Sequence, residues 1–388
     1  MAATPASGEQ EEEVCLWSWG AGTEGQLATG TLEDQFLPQR ITSLPAISHI
    51  ACGGAHAIAL TGDGKVWTWG RGTKGQLGHE EMNNCLKPRV VKLLESFFVS
   101  DVAAGWNHSG FVTDTGRLFM CGDGSFGQLG TGNNESHSSP IEISFSDATH
   151  VEQVACGMRH SIALVKDASS SGDLVYGFGA GRHGQIGKPA TRSSYLPMVV
   201  PGLENCSIAD VCANGDQSAA LTSNGQLYTW GRGFGGSSGS HIPQLLTSPL
   251  RFSKVVLGWN HALLIADGDT YILGGDHHGM LASAPKSQQA SSPSSDDSSA
   301  IPNLRKVPGL DGEKAICIAA GAEHSALVTE HGTVMTWGWG EHGQLGLGNS
   351  CDQTCPQALD ISYNGPFASS QFRVYCGSGF TFLAKLPS

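Results

Sequence analysis

Charge is scarce in this sequence, and positive charge is scarcer still. Only 15% of the 388 residues are charged, with 22 Lys and Arg against 35 Asp and Glu, a formal net charge of −13. Nucleic-acid phosphates and anionic membrane surfaces are held by clustered Lys and Arg, so this balance argues against a general nucleic-acid binder and against membrane attachment. Long apolar runs are missing too. No stretch approaches the roughly 18 residues that span a bilayer. The opening MAATPASGEQEEE has neither the basic and apolar regions of a signal peptide nor the arginines of a transit peptide, and residues 1–13 read as a disordered acidic tail. The eleven cysteines show no disulfide-framework spacing. Cys52, Cys156 and Cys376 instead recur at one repeat position, as small buried hydrophobes do. A reducing compartment, cytosol or nucleus, is the expectation.

Catalytic constellations are lacking as well. No Ser/His/Asp order and no G-x-S-x-G elbow before a helix stands out. The His and Cys spacings miss the short ligand intervals of metal sites, and Cys351 and Cys355 form a lone pair. No metal, no cofactor and no bond-making chemistry are expected.

What the sequence has instead is glycine, 53 residues of it, and repetition. The stretch Trp67–Gly78, WTWGRGTKGQLG, recurs with its first signature glycine at Gly20, Gly70, Gly122, Gly179, Gly231, Gly274 and Gly338. The intervals are 50, 52, 57, 52, 43 and 64 residues. A period near fifty marks a propeller or a solenoid. Gln26, Gln76, Gln128, Gln185 and Gln344 close the signature in five copies. Six copies read G-x-G-x-x-G, but no helix or βαβ unit follows, so the glycines serve tight turns and not a dinucleotide.

A second half-unit recurs in step, as in ACGGAHAIAL and AAGWNHSGFV. Its shared polar position holds His56, His108, His160, Gln217, His261 and His324, then Phe380. One histidine per repeat cannot converge on a metal, so these are expected to be buried and to tie strands together by hydrogen bonds. The chain begins with a glycine signature that has no preceding His half and ends with a His-type half that has no following signature. Complementary ends predict a ring closed by terminal strands sharing one sheet, which leaves no open edge. Asp63-Gly64 and its equivalents read as hairpin turns, and four short strands per repeat give an all-β class. Residues 283–303 are a serine-rich tract expected as a surface loop.

The tryptophans divide into two groups. Trp67, Trp69, Trp230, Trp337 and Trp339 belong to the strand signature and read as core. Trp106 and Trp259 lie in Gly-Trp-Asn-His segments, at a position read as Gly54, Met158, Asp216 and Ala322 elsewhere. A position without a fixed residue type is less constrained by packing and can present an aromatic anchor at a ring surface.

The two half-repeats, W-x-W-G-x-G-x-x-G-Q-L-G and A-x-G-x-x-H-S-x-A-L, resemble the regulator of chromosome condensation (RCC1-type) repeat over about residues 14–386. The resemblance implies a seven-bladed β-propeller whose terminal strands share a blade, with 14–388 as one propeller. The family's founder is a chromatin-bound guanine-nucleotide exchange factor for Ran. Glu11, Glu12 and Glu13 stand where the founder has a basic tail, so no direct DNA binding is expected. The founder's apolar β-wedge has only Lys166–Asp173 and Ser283–Asn303 as counterparts, both polar. The layout is more similar to the secretion-regulating exchange-factor branch, and more distantly to the plant UV-B receptor. In the latter, tryptophans and arginines of adjacent blades pair, whereas Trp106 and Trp259 lie three blades apart and Asn107 and Asn260 stand at the arginine position.

The resemblance implies a non-enzymatic, monomeric interaction module. Its first expected partner is a Ran- or Rab-type small GTPase whose basic patch would suit the chain's acidity. The alternative is an adaptor without a GTPase, and a UV-B receptor-like role ranks below it. The variable loop residues Arg71, Lys74, Trp106, Asp123, Arg182, Arg232 and Trp259 are the expected contacts.

Overall fold

A computed structural model describes residues 15–145, 149–167, 172–189, 192–234, 238–275, 277–282, 304–310, 312–361 and 372–385. The acidic tail 1–13, the serine-rich tract 283–303, the tip of the 166–173 extension and Gly236 of one signature lie outside them.

Alternating small and apolar residues between glycine turns fold into seven four-stranded antiparallel sheets, the blades of a propeller. Blade 2 shows the pattern: Ile47–Cys52, His56–Thr61, Val66–Gly70 and Cys85–Val90, paired in chain order. Blades 3 to 7 occupy 99–143, 149–199, 208–245, 252–306 and 315–358. Blade 1 joins both ends of the described chain. Cys15–Gly20 pairs on one side with Gln35–Ile41 and on the other with Phe380–Lys385, setting Trp17 opposite Leu383. The ring has no free edge at its seam, as the complementary half-repeats predict.

Each core lies between blades. Leu16, Leu27 and Phe382 of blade 1 pack against Ile47, Ile50 and Trp69 of blade 2. The signature glycines are required where blades approach: a Cβ on Gly75, at φ +86°, would sit 2.6 Å from the His137 carbonyl oxygen of the next blade. In blades 2 to 7 the register of the first strand shifts by one residue, as between Ile47 and His49. Such a bulge re-aims the next side chain. Asp101 Oδ2 then accepts the Val154 N–H of the next blade at 2.9 Å, and Lys254 reaches Asp210 at 2.8 Å.

The histidine half-repeat forms the joints. His56, His108, His160, His261 and His324 are fully buried. Each Nε2 lies 2.8–3.0 Å from a hydroxyl of the next blade: Ser109, Ser161, Ser218, Ser325 and Thr381. Ser109 spends its proton on the Gln76 carbonyl at 2.7 Å, and Ser161, Ser218 and Thr381 do the same to Gln128, Gln185 and Gln344. In these joints the imidazole must donate from Nε2. Nδ1 of all five rings has no partner, and in the glycine three residues earlier a Cβ would lie 2.1–2.5 Å from Cε1. Burial holds their pKa near 3 to 4, so the rings are neutral. The signature glutamine thus supplies its main-chain carbonyl to the joint, while its Oε1 folds back on its own loop, as Gln76 Oε1 does on the Lys74 N–H at 2.9 Å. Gln26 O likewise accepts Trp69 Nε1 from the next blade at 2.8 Å.

Candidate docking face

The turns between first and second strands and the glycine signatures emerge on one face of the ring, and all seven loop residues named above lie there. The turns are linked edge to edge. Gly54 N–H donates to Gly105 O, Trp106 to Gly157, Met158 to Gly215, Trp259 to Ala322, Ala322 to Ser378 and Ser378 to Gly53, at 2.8–3.1 Å. Between blades 5 and 6 the link is a side chain instead: Asn214 Nδ2 donates to Leu257 O at 2.7 Å.

This register corrects one alignment. Gly215, not Asp216, occupies the Trp106 position. Asp216 takes the place of Ala55 and Asn107, since its carbonyl accepts the Arg232 N–H just as theirs accept Arg71 and Asp123. The one-residue gap between Gly215 and Gln217 hid this, because blade 5 carries Asn214 where the other blades carry glycine.

Trp106 and Trp259 meet. Their ring centroids are 5.1 Å apart with planes at 53°. A separation of three blades in a seven-membered ring puts them on opposite sides of the axis, and both turns point inward, so the rings touch over it. Both are half-buried and line a cavity of about 80 Å³ with Met158, Ala322 and Ser378. Arg71 extends the pair. Its Cζ lies 5.6 Å from the Trp106 centroid, and its Nη2 donates to Trp106 O at 3.2 Å and Asn107 Oδ1 at 2.8 Å. Burial lowers the Arg71 pKa. An arginine stays charged all the same, so a fixed cation lies beside the Trp106 member of the pair.

The other loop residues differ in what they offer. Asp123 is buried and its Oδ1 accepts from Ser125 N at 3.0 Å, so it braces its own loop. Lys74 is exposed and makes no ion pair among the described residues. Arg232 lies 3.7 Å from Asp216 Oδ2. Arg182 is exposed and lines a separate pocket with Arg159, Arg192 and His183, three residues the sequence analysis did not select. Arg159 comes from one loop of blade 4, and His183 and Arg192 stand nine residues apart on another, so no linear motif announces them.

Trp339 is not core. It lies past the strand Val334–Gly338, half-buried, 6.0 Å from His278 and 5.1 Å from His342. His278 is exposed and bridges Asp352 at 2.7 Å and Glu323 at 3.2 Å. Trp67 is also half-buried, packed against the core between blades 1 and 2. Among the described residues, no three His, Cys, Asp or Glu side chains are grouped to hold a metal ion, and no helix is long and apolar enough to cross a membrane.

A model described as the RCC1-like domain matches residues 15–383. The chain belongs to that family. Mouse E3 ubiquitin-protein ligase HERC2 is 33% identical to this RCC1-like propeller over 329 residues, 81% of the chain but only 6% of that protein's length. The Arabidopsis thaliana ultraviolet-B receptor UVR8 is 30% identical, with 91% of this chain and 79% of the receptor covered. The mouse secretion-regulating guanine nucleotide exchange factor is 29% identical, with 96% of this chain and 84% of the factor covered. Among solved structures, Saccharomyces cerevisiae Prp20p, described with its binding to Gsp1p and histones, superposes with a TM-score of 0.80. The superposition covers 98% of this chain and 93% of Prp20p at 22% identity, a likeness of fold. The names of these relatives differ in activity, so family membership alone does not assign one to this chain.

Proposed function

We propose that this propeller regulates a small GTPase of the Ran or Rab type as a guanine-nucleotide exchange factor, docking it on the face that carries Trp106 and Trp259. The observation that carries the reading is the tryptophan pair with Arg71 at the centre of that face. Half-buried Trp and Arg at the middle of a patch are the side chains that dominate binding energies at protein interfaces. Similarity to an exchange factor along 96% of the chain supports the choice of partner class. An exchange factor makes and breaks no bond; it accelerates release by binding the nucleotide-free GTPase in preference. Eleven cysteines without disulfide-framework spacing are in keeping with a cytosolic or nuclear setting.

The test is capture from native lysate with the tagged protein, once in EDTA and once in excess GTP and magnesium. A GTPase retained in EDTA and released by GTP supports the reading. Partners indifferent to nucleotide, with no GTPase among them, would replace it with the second reading, an adaptor whose propeller only holds proteins together. The spread of activities among relatives, from a ubiquitin ligase to a light receptor, is what favours that alternative.

A further inference from the structure

In a chain of net charge −13, several of the described cations sit on carboxylates. Lys65 pairs with Asp63 at 3.0 Å, Arg117 with Glu142, Lys254 with Asp210 at 2.8 Å and Lys306 with Asp269 at 2.7 Å. One pocket gathers three cations that do not. Arg159, Arg182 and Arg192 line a cavity of about 520 Å³ on the docking face, and none of the three makes an ion pair among the described residues. Its one carboxylate, Asp216, is already engaged: Oδ1 accepts from Gln185 Nε2 at 3.1 Å, and Oδ2 lies 3.7 Å from Arg232 and 3.8 Å from His183. Three guanidiniums thus line a pocket whose one carboxylate already has a fourth, Arg232, beside it.

Backbone bonds tie the residues that carry two of these groups to the end of one strand. Ala180 N–H donates to Arg159 O at 2.8 Å, and Gly181 N–H to Arg192 O at 2.7 Å. Arg159 lies over the Phe126 ring, Cζ 4.9 Å from its centroid, which sets the plane of its donors. Three forks of parallel N–H donors on one concave site outnumber what a carboxylate can accept. They match a phosphoryl group, whose three oxygens and charge near −2 take several charge-assisted bonds at once.

We infer that this pocket is a phosphoryl-binding site that receives a phosphorylated serine or threonine of a protein partner. Choosing a protein-borne phosphate rests on the proposed reading of this face as the docking face. The phosphoryl chemistry rests on the arginines alone.

The test titrates the intact protein calorimetrically with Gly-Gly-phosphoserine-Gly-Gly, its unphosphorylated form, its aspartate counterpart and inorganic phosphate, all at one ionic strength. The phosphopeptide should bind saturably, and the unphosphorylated peptide should not. The aspartate peptide and inorganic phosphate should bind more weakly than the phosphopeptide. The double variant Arg182→Ala/Arg192→Ala should weaken the phosphopeptide by at least about tenfold, since each lost bond to a charged group is worth about that much. Both side chains are exposed, and circular dichroism checks that the variant is folded. No saturable phosphopeptide binding, or binding the double variant leaves unchanged, overturns the site. An aspartate peptide as tight as the phosphopeptide reassigns it to acidic segments. Inorganic phosphate as tight as the phosphopeptide overturns the protein-borne source. No GTPase enters this titration, so its outcome is separate from that of the lysate capture.

Discussion

His56 Nε2 and Ser109 Oγ lie 2.9 Å apart across the gap between blades 2 and 3, and wherever a blade lacks the histidine its neighbour lacks the hydroxyl. Gln217 faces a blade whose equivalent residue is Ala262, and Phe380 faces Ala57. The pair therefore behaves as one unit with two workable forms, polar on polar or apolar on small.

Ser109→Ala alone should cost about 1–3 kcal/mol, because it strands a buried imidazole N–H and leaves the Gln76 carbonyl only the weak Cys121 thiol donor at 3.6 Å. Adding His56→Phe reproduces the Phe380/Ala57 joint and should recover part of that loss. Denaturant unfolding of both variants checks it. A double variant less stable than the single one would show that the two forms are not interchangeable.

The joint between blades 5 and 6 makes a sharper case. Both side-chain atoms of Gln217 are buried without partners. Asn214 sits where a histidine ring would need glycine: at Gly53 a Cβ would come within 2.5 Å of the His56 ring. Gln217→His/Ala262→Ser should therefore destabilise, while the same pair with Asn214→Gly should restore or exceed wild-type stability. Native-state hydrogen exchange in Phe252–Leu257 reads the joint directly. If the triple variant exchanged as fast as the double, crowding by Asn214 would not be the cause.

Acid should loosen all five joints together. Burial lowers the histidine pKa from 6.5 to about 3–4, so between those values the unfolded chain binds protons that the folded chain does not. Stability is then fully present above pH 6.5 and falls as pH drops towards 4. Asp101 has the opposite sign. Burial raises its pKa from 3.8 to about 7, so its contribution falls as pH rises through that interval. Five groups outweigh one. Melting temperature should therefore decline steadily from pH 6.5 to 4, and a flat profile would count against buried, neutral histidines.

Trp106→Ala should weaken partner binding by about 2 kcal/mol or more while leaving the melting temperature in place. The Trp106 N–H bond to Gly157 O does not involve the indole. Calorimetry against the captured partner, with thermal melts alongside, separates the two effects. A lowered melting temperature with unchanged affinity would make the pair a structural plug.

Ultraviolet-B irradiation should leave the size-exclusion profile unchanged, at the position of a monomer. Trp106 contacts Trp259 within one ring, and Arg71 is bonded inside the same chain. A shift in apparent mass on irradiation would revive the receptor-like reading.

The repeat unit was legible because glycine and histidine mark backbone geometry directly. Gly70 and Gly122 recur where only φ near +100° fits, and His56 and His108 recur where an imidazole fits over a glycine. The docking face was less legible. Trp106 and Trp259 are 153 residues apart, and only ring closure over an axis turns that distance into a contact. Arg159, Arg182 and Arg192 gather from two loops, while Asp123, selected for its variable position, turned inward to Ser125. Variability along a repeat shows which positions packing leaves free. It does not show which way their side chains turn.

The seam in blade 1 also sets a clock. Cys15–Gly20 is among the first strands made, and its partner Phe380–Lys385 follows about 360 residues later. At roughly 5–20 residues per second, a nascent chain holds that strand edge unpaired for some tens of seconds. Six blades can assemble from neighbours in sequence during that interval, but the last sheet cannot. Of the described strands, Cys15–Gly20 waits longest for its partner, and a ribosome that stalls before Phe380 leaves that edge open.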